Sequence, residues 1–237
     1  MIVINKKRLI FIEVSIIFSI FFSTILNKSN NDTINTSSIP VSSHTVTIDA
    51  GHGIPDEGAQ NENGLTEAGI NLKIALKVQK LLEVSNCTVI LTRSDENGIY
   101  DIDSKTLREM TVSYKKNRVK IGNSSDSDIF VSIHLNKIPQ NQYYGWQTFY
   151  KRNSEEGKNL SNYIQENLNQ SIQIENKRVP QIISGKYIIE NLEIPTVIVE
   201  CGFLSNPTEA NLLTQNDYQD KIAWGIYCGI MDYFDNK

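Results

Sequence analysis

IFVSIHLN (Ile129–Asn136) and PTVIVECGFLSN (Pro195–Asn206) decide the fold. Each opens on a run of Ile, Val and Phe that is apolar at nearly every position, not at alternate ones. Such a run is a strand covered on both faces, the usual state of a strand in a parallel sheet. Each run also ends on an ionisable side chain, His134 in the first and Glu200 in the second. Working outward, TIDAGHG (Thr47–Gly53) closes a strand over 45–49 and turns into a loop over 50–66 that holds Gly51, Gly53, Pro55, Gly58 and Gly64. CTVILT (Cys87–Thr92) reads as another continuous apolar strand, and GWQTFY (Gly145–Tyr150) alternates as a strand. Lys186–Ile189 reads as a short strand before Thr196–Glu200.

Helical patterns separate these strands. Leu72, Ala75, Leu76, Gln79 and Leu82 fall near helical spacing in a helix that starts at Glu67, with Thr66 placed to cap it. Residues 112–123 read as a second helix. Leu160, Ile164, Leu168 and Ile172 make the apolar face of a third, and Ile222, Ile226, Ile230 and Phe234 that of a last one. Strands alternating with helices predict an α/β fold: a mostly parallel or mixed six-stranded sheet with helices on both faces. Ligands in such sheets sit beyond the carboxyl ends of the strands. His52, His134 and Glu200 all fall at or just past strand ends.

The chain has 237 residues and 40% hydrophobic content, enough for one sizeable core. Residues 1–43 carry four basic and two acidic groups, which leaves 19 against 25 in the body, a net of −6. A mildly acidic body without a basic run argues against a nucleic-acid partner. Lys6, Lys7 and Arg8 precede an apolar stretch from Leu9 to Leu26. Residues 1–26 are therefore expected to form an N-terminal apolar helix, either an uncleaved signal anchor or a removed signal peptide. The body is then exported, to the outer face of the cytoplasmic membrane or beyond. The Asn- and Ser-rich residues 27–43 read as a disordered linker, and 44–237 as one catalytic domain. Cys87, Cys201 and Cys228 are odd in number and widely spaced. They are no disulfide framework and read as small buried apolar residues, with a redox role or a zinc-binding Cys201 as the alternatives.

Each candidate site residue has a plain structural reading. His52 in GHG, His134 at a strand end and Glu67 in a first helical turn are all ordinary on their own. Glu200 is harder to set aside, because an ionisable group that ends a buried strand needs a partner. His44, beside the linker, reads as a surface residue. Taken together, two imidazoles, a ligand carboxylate and a spare carboxylate at element termini are the parts of a hydrolytic zinc site. Three protein ligands leave the fourth tetrahedral position for water.

The motifs TIDAGHG, LTEAGINLKIALKV (Leu65–Val78), LTR (Leu91–Arg93), NRVKIGN (Asn117–Asn123), DIFVSIHLN and PTVIVECGFLSNPTEANLL, in that order, resemble the zinc-dependent N-acetylmuramoyl-L-alanine amidases over residues 44–235. SIHLNKIP followed by GWQTFY is most similar to the germination-specific subgroup of spore-forming bacteria. The resemblance implies an amidase/phosphorylase-like fold and a Zn2+ cofactor held by His52, Glu67 and His134, with Glu200 as the catalytic glutamate. It implies a peptidoglycan substrate cut between the lactyl group of N-acetylmuramic acid and L-alanine. The expected setting is modification of the spore cortex, with muramic-lactam formation, for germination. The alternatives are a catalytically inactive peptidoglycan-binding module and a zinc peptidase acting on the stem peptide. Asp49 is expected to orient a zinc ligand, Arg118 to hold structure, and Asn136 to position substrate or hold the fold. Ile54 and Glu190 depart from the family pattern, which often has a glycine and a basic residue at those places. Gly69 weakens the helix that carries Glu67. A loosely held Glu67 arm, ordered by substrate or by an activating protein partner, is the expectation that follows.

Overall fold

The computed structural model describes residues 44–237. The apolar N-terminal segment and the linker proposed for residues 1–43 lie outside the described residues. Among the described residues no helix is long and apolar enough to cross a membrane.

Six strands and six helices follow in the order β1 (Thr45–Ala50), α1 (Glu67–Val84), β2 (Thr88–Leu91), α2 (Leu107–Ser124), β3 (Ile129–Asn136), β4 (Gln147–Lys151), α3 (Glu155–Ile172), β5 (Gln181–Ile183), α4 (Tyr187–Asn191), β6 (Thr196–Phe203), α5 (Pro207–Leu213) and α6 (Asn216–Asp235). The strands form one mixed sheet in the order β2-β1-β3-β6-β4-β5. β2, β1, β3 and β6 run parallel; β4 is antiparallel to β6 and parallel to β5. The expected α/β sheet with helices on both faces is what the chain forms.

The two faces differ. Val46, Ile48, Val131, Ile133, Val197 and Val199 point to one side. There they are buried with the apolar stripes of α1, α3 and α6, including all eight residues of the two predicted stripes on α3 and α6. Alternate positions on the same central strands carry Thr47, Asp49, Ser132, His134 and Glu200 to the other side. The sheet thus has one oil-like face and one polar face, and every candidate strand residue of the site belongs to the polar one.

Several expectations need correction. β2 is an edge strand with Thr88 exposed and Val89–Leu91 half-buried, so its apolar run is not covered on both faces. α2 begins five residues before Val112, because Thr106 and Glu109 form a reciprocal capping box that starts a polar, exposed first turn. Lys186–Ile189 is not a strand. Residues 187–191 turn as the short helix α4, and the outer strand is β5 over 181–183. Thr66 occupies the N-cap position of α1 without a side-chain cap bond. α5 is an addition: Asn206 accepts from the Glu209 N–H and Pro207 opens the helix, a start signal present in SNPTE. His44 is half-buried, with Nδ1 3.3 Å from Asp128 and its ring stacked on Phe234 at 3.8 Å. Cys87 and Cys201 are buried and Cys228 is partly so.

Candidate metal centre

The loop after β1 is shaped by what its carbonyls meet. Two buried arginines gather them. Arg93 donates to the Ala50, Gly51 and Ala68 carbonyls at 2.9, 3.1 and 2.8 Å. Arg118 donates to the Ala50 and His52 carbonyls at 3.1 and 2.5 Å. His52 is held in the left-handed region at φ 63°, which turns its ring inward. Gly51 lets the ring of His134 come close: a Cβ there would lie 2.5 Å from that ring. A Cβ on Gly58 would lie 2.6 Å from Glu67 Oε2 and 2.7 Å from the His52 ring, at a φ of +69° that favours glycine. The glycines of this loop make room for a cluster of three side chains.

His52, Glu67 and His134 are that cluster, each with a ligand-capable atom within 4.8 Å of the others. Glu67 Oε1 lies 2.9 Å from His134 Nδ1 and 3.4 Å from His52 Nε2. The imidazole rings stand 5.1 Å apart at 78°. Glu67 is firmly fixed, against the expectation of a loose arm. Its Oε1 accepts from the Leu135 N–H at 3.0 Å and from Asn71 at 3.4 Å, and its Oε2 accepts from the Ala59 N–H at 2.9 Å. Burial alone would raise its carboxyl, but the two imidazoles outweigh burial and hold it well below the usual range.

The far side of His52 shows a residue that sequence reasoning missed. His52 Nδ1 lies 3.1 Å from Asp56 Oδ2, a close charged pair more than an aligned hydrogen bond. The same Asp56 oxygen accepts from the Tyr114 hydroxyl at 2.6 Å. His52 and Tyr114 together hold the Asp56 carboxyl low. Burial pushes the His52 imidazole down, but Asp56 and Glu67 outweigh it and lift it to about 9. A carboxylate behind an imidazole fixes which ring nitrogen faces the site. The available signal was an acid four residues past His52 in the same Gly- and Pro-rich loop.

Asp49 spends its hydrogen bonds away from the cluster's ligands. Its carboxylate is fully buried and accepts from Arg118 Nε at 2.7 Å, Thr92 Oγ1 at 2.6 Å and Ser132 Oγ at 2.6 Å. The expected orienting role of Asp49 is therefore corrected: it anchors Arg118, which anchors the His52 loop. Arg118 holds structure as expected. The Asn136 carbonyl accepts from the Leu204 N–H at 2.8 Å, tying the ends of β3 and β6 together.

Glu200 stands opposite His134 in the β3–β6 register, on the same face. Its Oε2 is shielded from solvent and has no hydrogen-bond partner among the described residues. Burial, with the neighbouring Glu67 charge, pushes its carboxyl up; His134 works the other way and does not cancel this. Two imidazole nitrogens and one carboxylate oxygen converge on a point, and an unpaired carboxylate stands beside them. The donor set fits a divalent metal ion of borderline softness, and the orphaned Oε2 fits a general base that faces a reactant.

Comparison with known proteins adds an independent line. Residues 46–232 match the family described as N-acetylmuramoyl-L-alanine amidase. The chain is 36% identical over 209 residues to the germination-specific N-acetylmuramoyl-L-alanine amidase of Bacillus subtilis, covering 88% of this chain and 87% of that protein. Its fold is similar to that of the CwlD amidase of Clostridioides difficile, solved in complex with the GerS lipoprotein. That likeness has TM-score 0.80 and 43% identity, over 82% of this chain and 100% of the other. The catalytic domain of CwlV, an N-acetylmuramoyl-L-alanine amidase from Bacillus (Paenibacillus) polymyxa, is similar at TM-score 0.70 and 31% identity, over 82% and 99%.

Proposed function

The chain belongs to the N-acetylmuramoyl-L-alanine amidase family, and from that premise we propose that it is a zinc hydrolase that cuts the lactyl–L-alanine amide of spore-cortex peptidoglycan. His52, Glu67 and His134 would hold the zinc. When bound, zinc supplies Lewis acidity: it polarises a carbonyl and makes water more acidic. The rest of the chemistry belongs to the chain. Glu200 takes a proton from the attacking water and delivers it to the departing L-alanine amine. Its unpaired Oε2 is free to receive that proton. Asp56 keeps the His52 ring turned toward Glu67, and the Arg118–Asp49 pair keeps the His52 loop in place. The observation that carries the reading is the register His134↔Glu200, which sets a ligand and an unpaired carboxylate side by side on one face.

Likeness to a germination-specific amidase and to CwlD supports action on the cortex, muramic-lactam formation and a role in germination. It supports an extracytoplasmic location, to which the apolar residues 9–26 of the sequence would deliver the body. The CwlD structure contains the GerS lipoprotein, and a protein partner of that kind is part of the proposal for this chain.

The test is digestion of purified cortex and vegetative peptidoglycan by the full-length protein, wild type beside Glu200→Ala, with zinc assayed in both. Intact stem peptides with L-alanine at the N-terminus, from wild type alone and with zinc in both, are expected. Products cut inside the stem would instead mark a peptidase. Zinc in both proteins with no cleavage of either wall would mark a binding module or an enzyme that lacks its activating partner, and adding that partner separates the two.

A further inference from the structure

The polar row does not stop at Glu200. Gln147 of β4 pairs with Glu200 in the β6–β4 register, so His134, Glu200 and Gln147 are three neighbours on one face. Gln147 is buried and both ends of its amide are engaged. Its Nε2 donates to the Val179 carbonyl at 2.8 Å, and its Oε1 accepts from Arg178 Nη1 at 3.2 Å. Arg178 is held on further sides. Its Nε donates to the Tyr144 carbonyl at 3.1 Å. Its guanidinium lies 4.6 Å from the ring centroid of Phe203, three residues past Glu200, and 5.9 Å from that of Tyr143.

This fixed cation has no acid of its own: Arg178 makes no ion pair among the described residues. The nearby Glu209 feels its charge, but spends both oxygens on backbone, accepting from the Phe203 N–H at 2.7 Å and the Gly145 N–H at 2.8 Å. A groove of about 330 Å³ opens beside Arg178, walled by Tyr143, Tyr144 and Asn176 and by Glu175, whose charge is paired with Lys177 at 3.2 Å. The two tyrosines are 44% and 46% exposed.

We propose that Arg178 binds a carboxylate of the stem peptide, the one carried by the residue next to L-alanine. The proposal rests on the amidase reading above and adds a specificity-determining residue to it. A guanidinium is a planar fork that matches a carboxylate, and prior fixation of its side chain lowers the ordering cost of binding. Gln147 links Arg178 to Glu200: its backbone pairs with Glu200 in the register, and its side-chain amide holds Arg178.

The test uses the full-length protein and two synthetic muropeptides that differ only at this group, free carboxylate or carboxamide. Wild type is expected to show a KM roughly tenfold or more lower for the acid, the usual size of a charge-assisted contact. Arg178→Met is expected to raise the KM for the acid to that for the amide, and Arg178→Lys to recover part of the preference. Equal KM values for wild type overturn the proposal without any variant having to fold. A preference that survives in folded Arg178→Met also overturns it, because a purely structural arginine would leave the preference intact. Cleavage of neither muropeptide overturns the amidase reading itself and the proposal with it, whereas equal cleavage of both overturns the proposal alone.

Discussion

Asp49 and Glu200 are both carboxylates on the polar face of one sheet, two strands apart, and their surroundings are opposite. Asp49 is met by Arg118, Thr92 and Ser132. Burial alone would raise its carboxyl, but Arg118 and the two hydroxyls outweigh burial and hold it below the usual value of 3.8. Glu200 is met by no donor at Oε2 and is pushed above 4.5 by burial and by the Glu67 charge. A buried carboxylate whose lone pairs are satisfied holds a structure together. One left unsatisfied is a cost to the fold, and it persists where a reactant completes it. The comparison separates scaffold from chemistry more sharply than residue type does.

The largest effect expected is on the Glu200 side. Glu200→Gln should lower the rate of muropeptide hydrolysis by roughly 10²–10⁴-fold, the range for loss of a general base. The same change should stabilise the metal-free protein at neutral pH. The folded-state value of Glu200 is raised, so its contribution is full below pH 4.5 and is lost as pH rises from there through the raised folded value; an uncharged amide escapes the loss. A melting curve for Glu200→Gln a few degrees above wild type is expected, and a lower one would break the contrast.

On the Asp49 side the signs reverse. Asp49→Asn should cost about 3–5 kcal/mol in denaturant unfolding, because Arg118 is left buried without its counter-charge. Its folded-state value is depressed, so the stability it gives is complete above pH 3.8 and is lost as pH falls below that toward the depressed value. An acid titration of unfolding, compared with Asp49→Asn, should show that difference shrinking at low pH.

Smaller effects sharpen the metal-site reading. Asp56→Asn should weaken zinc binding about 10–100-fold, read by chelator competition, and should also lower the stability of the metal-free protein, because Asp56 is one of the two carboxylates that favour the charged His52. Without metal, His52 sits at about 9, above its ordinary 6.5. The stability it gives the metal-free protein is full below 6.5 and fades as pH rises through 9. Zinc must displace that proton, so affinity should rise with pH up to about 9. Calorimetry in buffers of different ionisation enthalpy should show proton release on zinc binding at pH 7.

The parts of the site were legible as residue types at element ends. His52, His134 and Glu200 follow apolar runs, and Glu67 opens a helical pattern; these are local signals that need only a few neighbouring residues. The stripes of α3 and α6 were equally legible, because one buried helix face repeats every three to four residues. Lys186–Ile189 was misread because a short apolar run does not distinguish a helical turn from a strand. There the half-buried α4 won, and the sheet edge went to Gln181–Ile183.

What the sequence by itself determined is the inventory: a sheet of buried strands with ionisable ends, apolar helix stripes to cover one face, and a set of nitrogen and oxygen donors suited to a metal. What only the tertiary structure decided is which group answers which. Arg118 meets Asp49 across 69 residues of sequence, Glu67 meets His134 across 67, and Gln147 lines up with Glu200 through an antiparallel strand that breaks the parallel order. The reason is physical. Periodicity and capping are settled within a turn or a strand, but whether a buried carboxylate is satisfied or left open depends on strand order and register, which bring together groups that the chain keeps far apart.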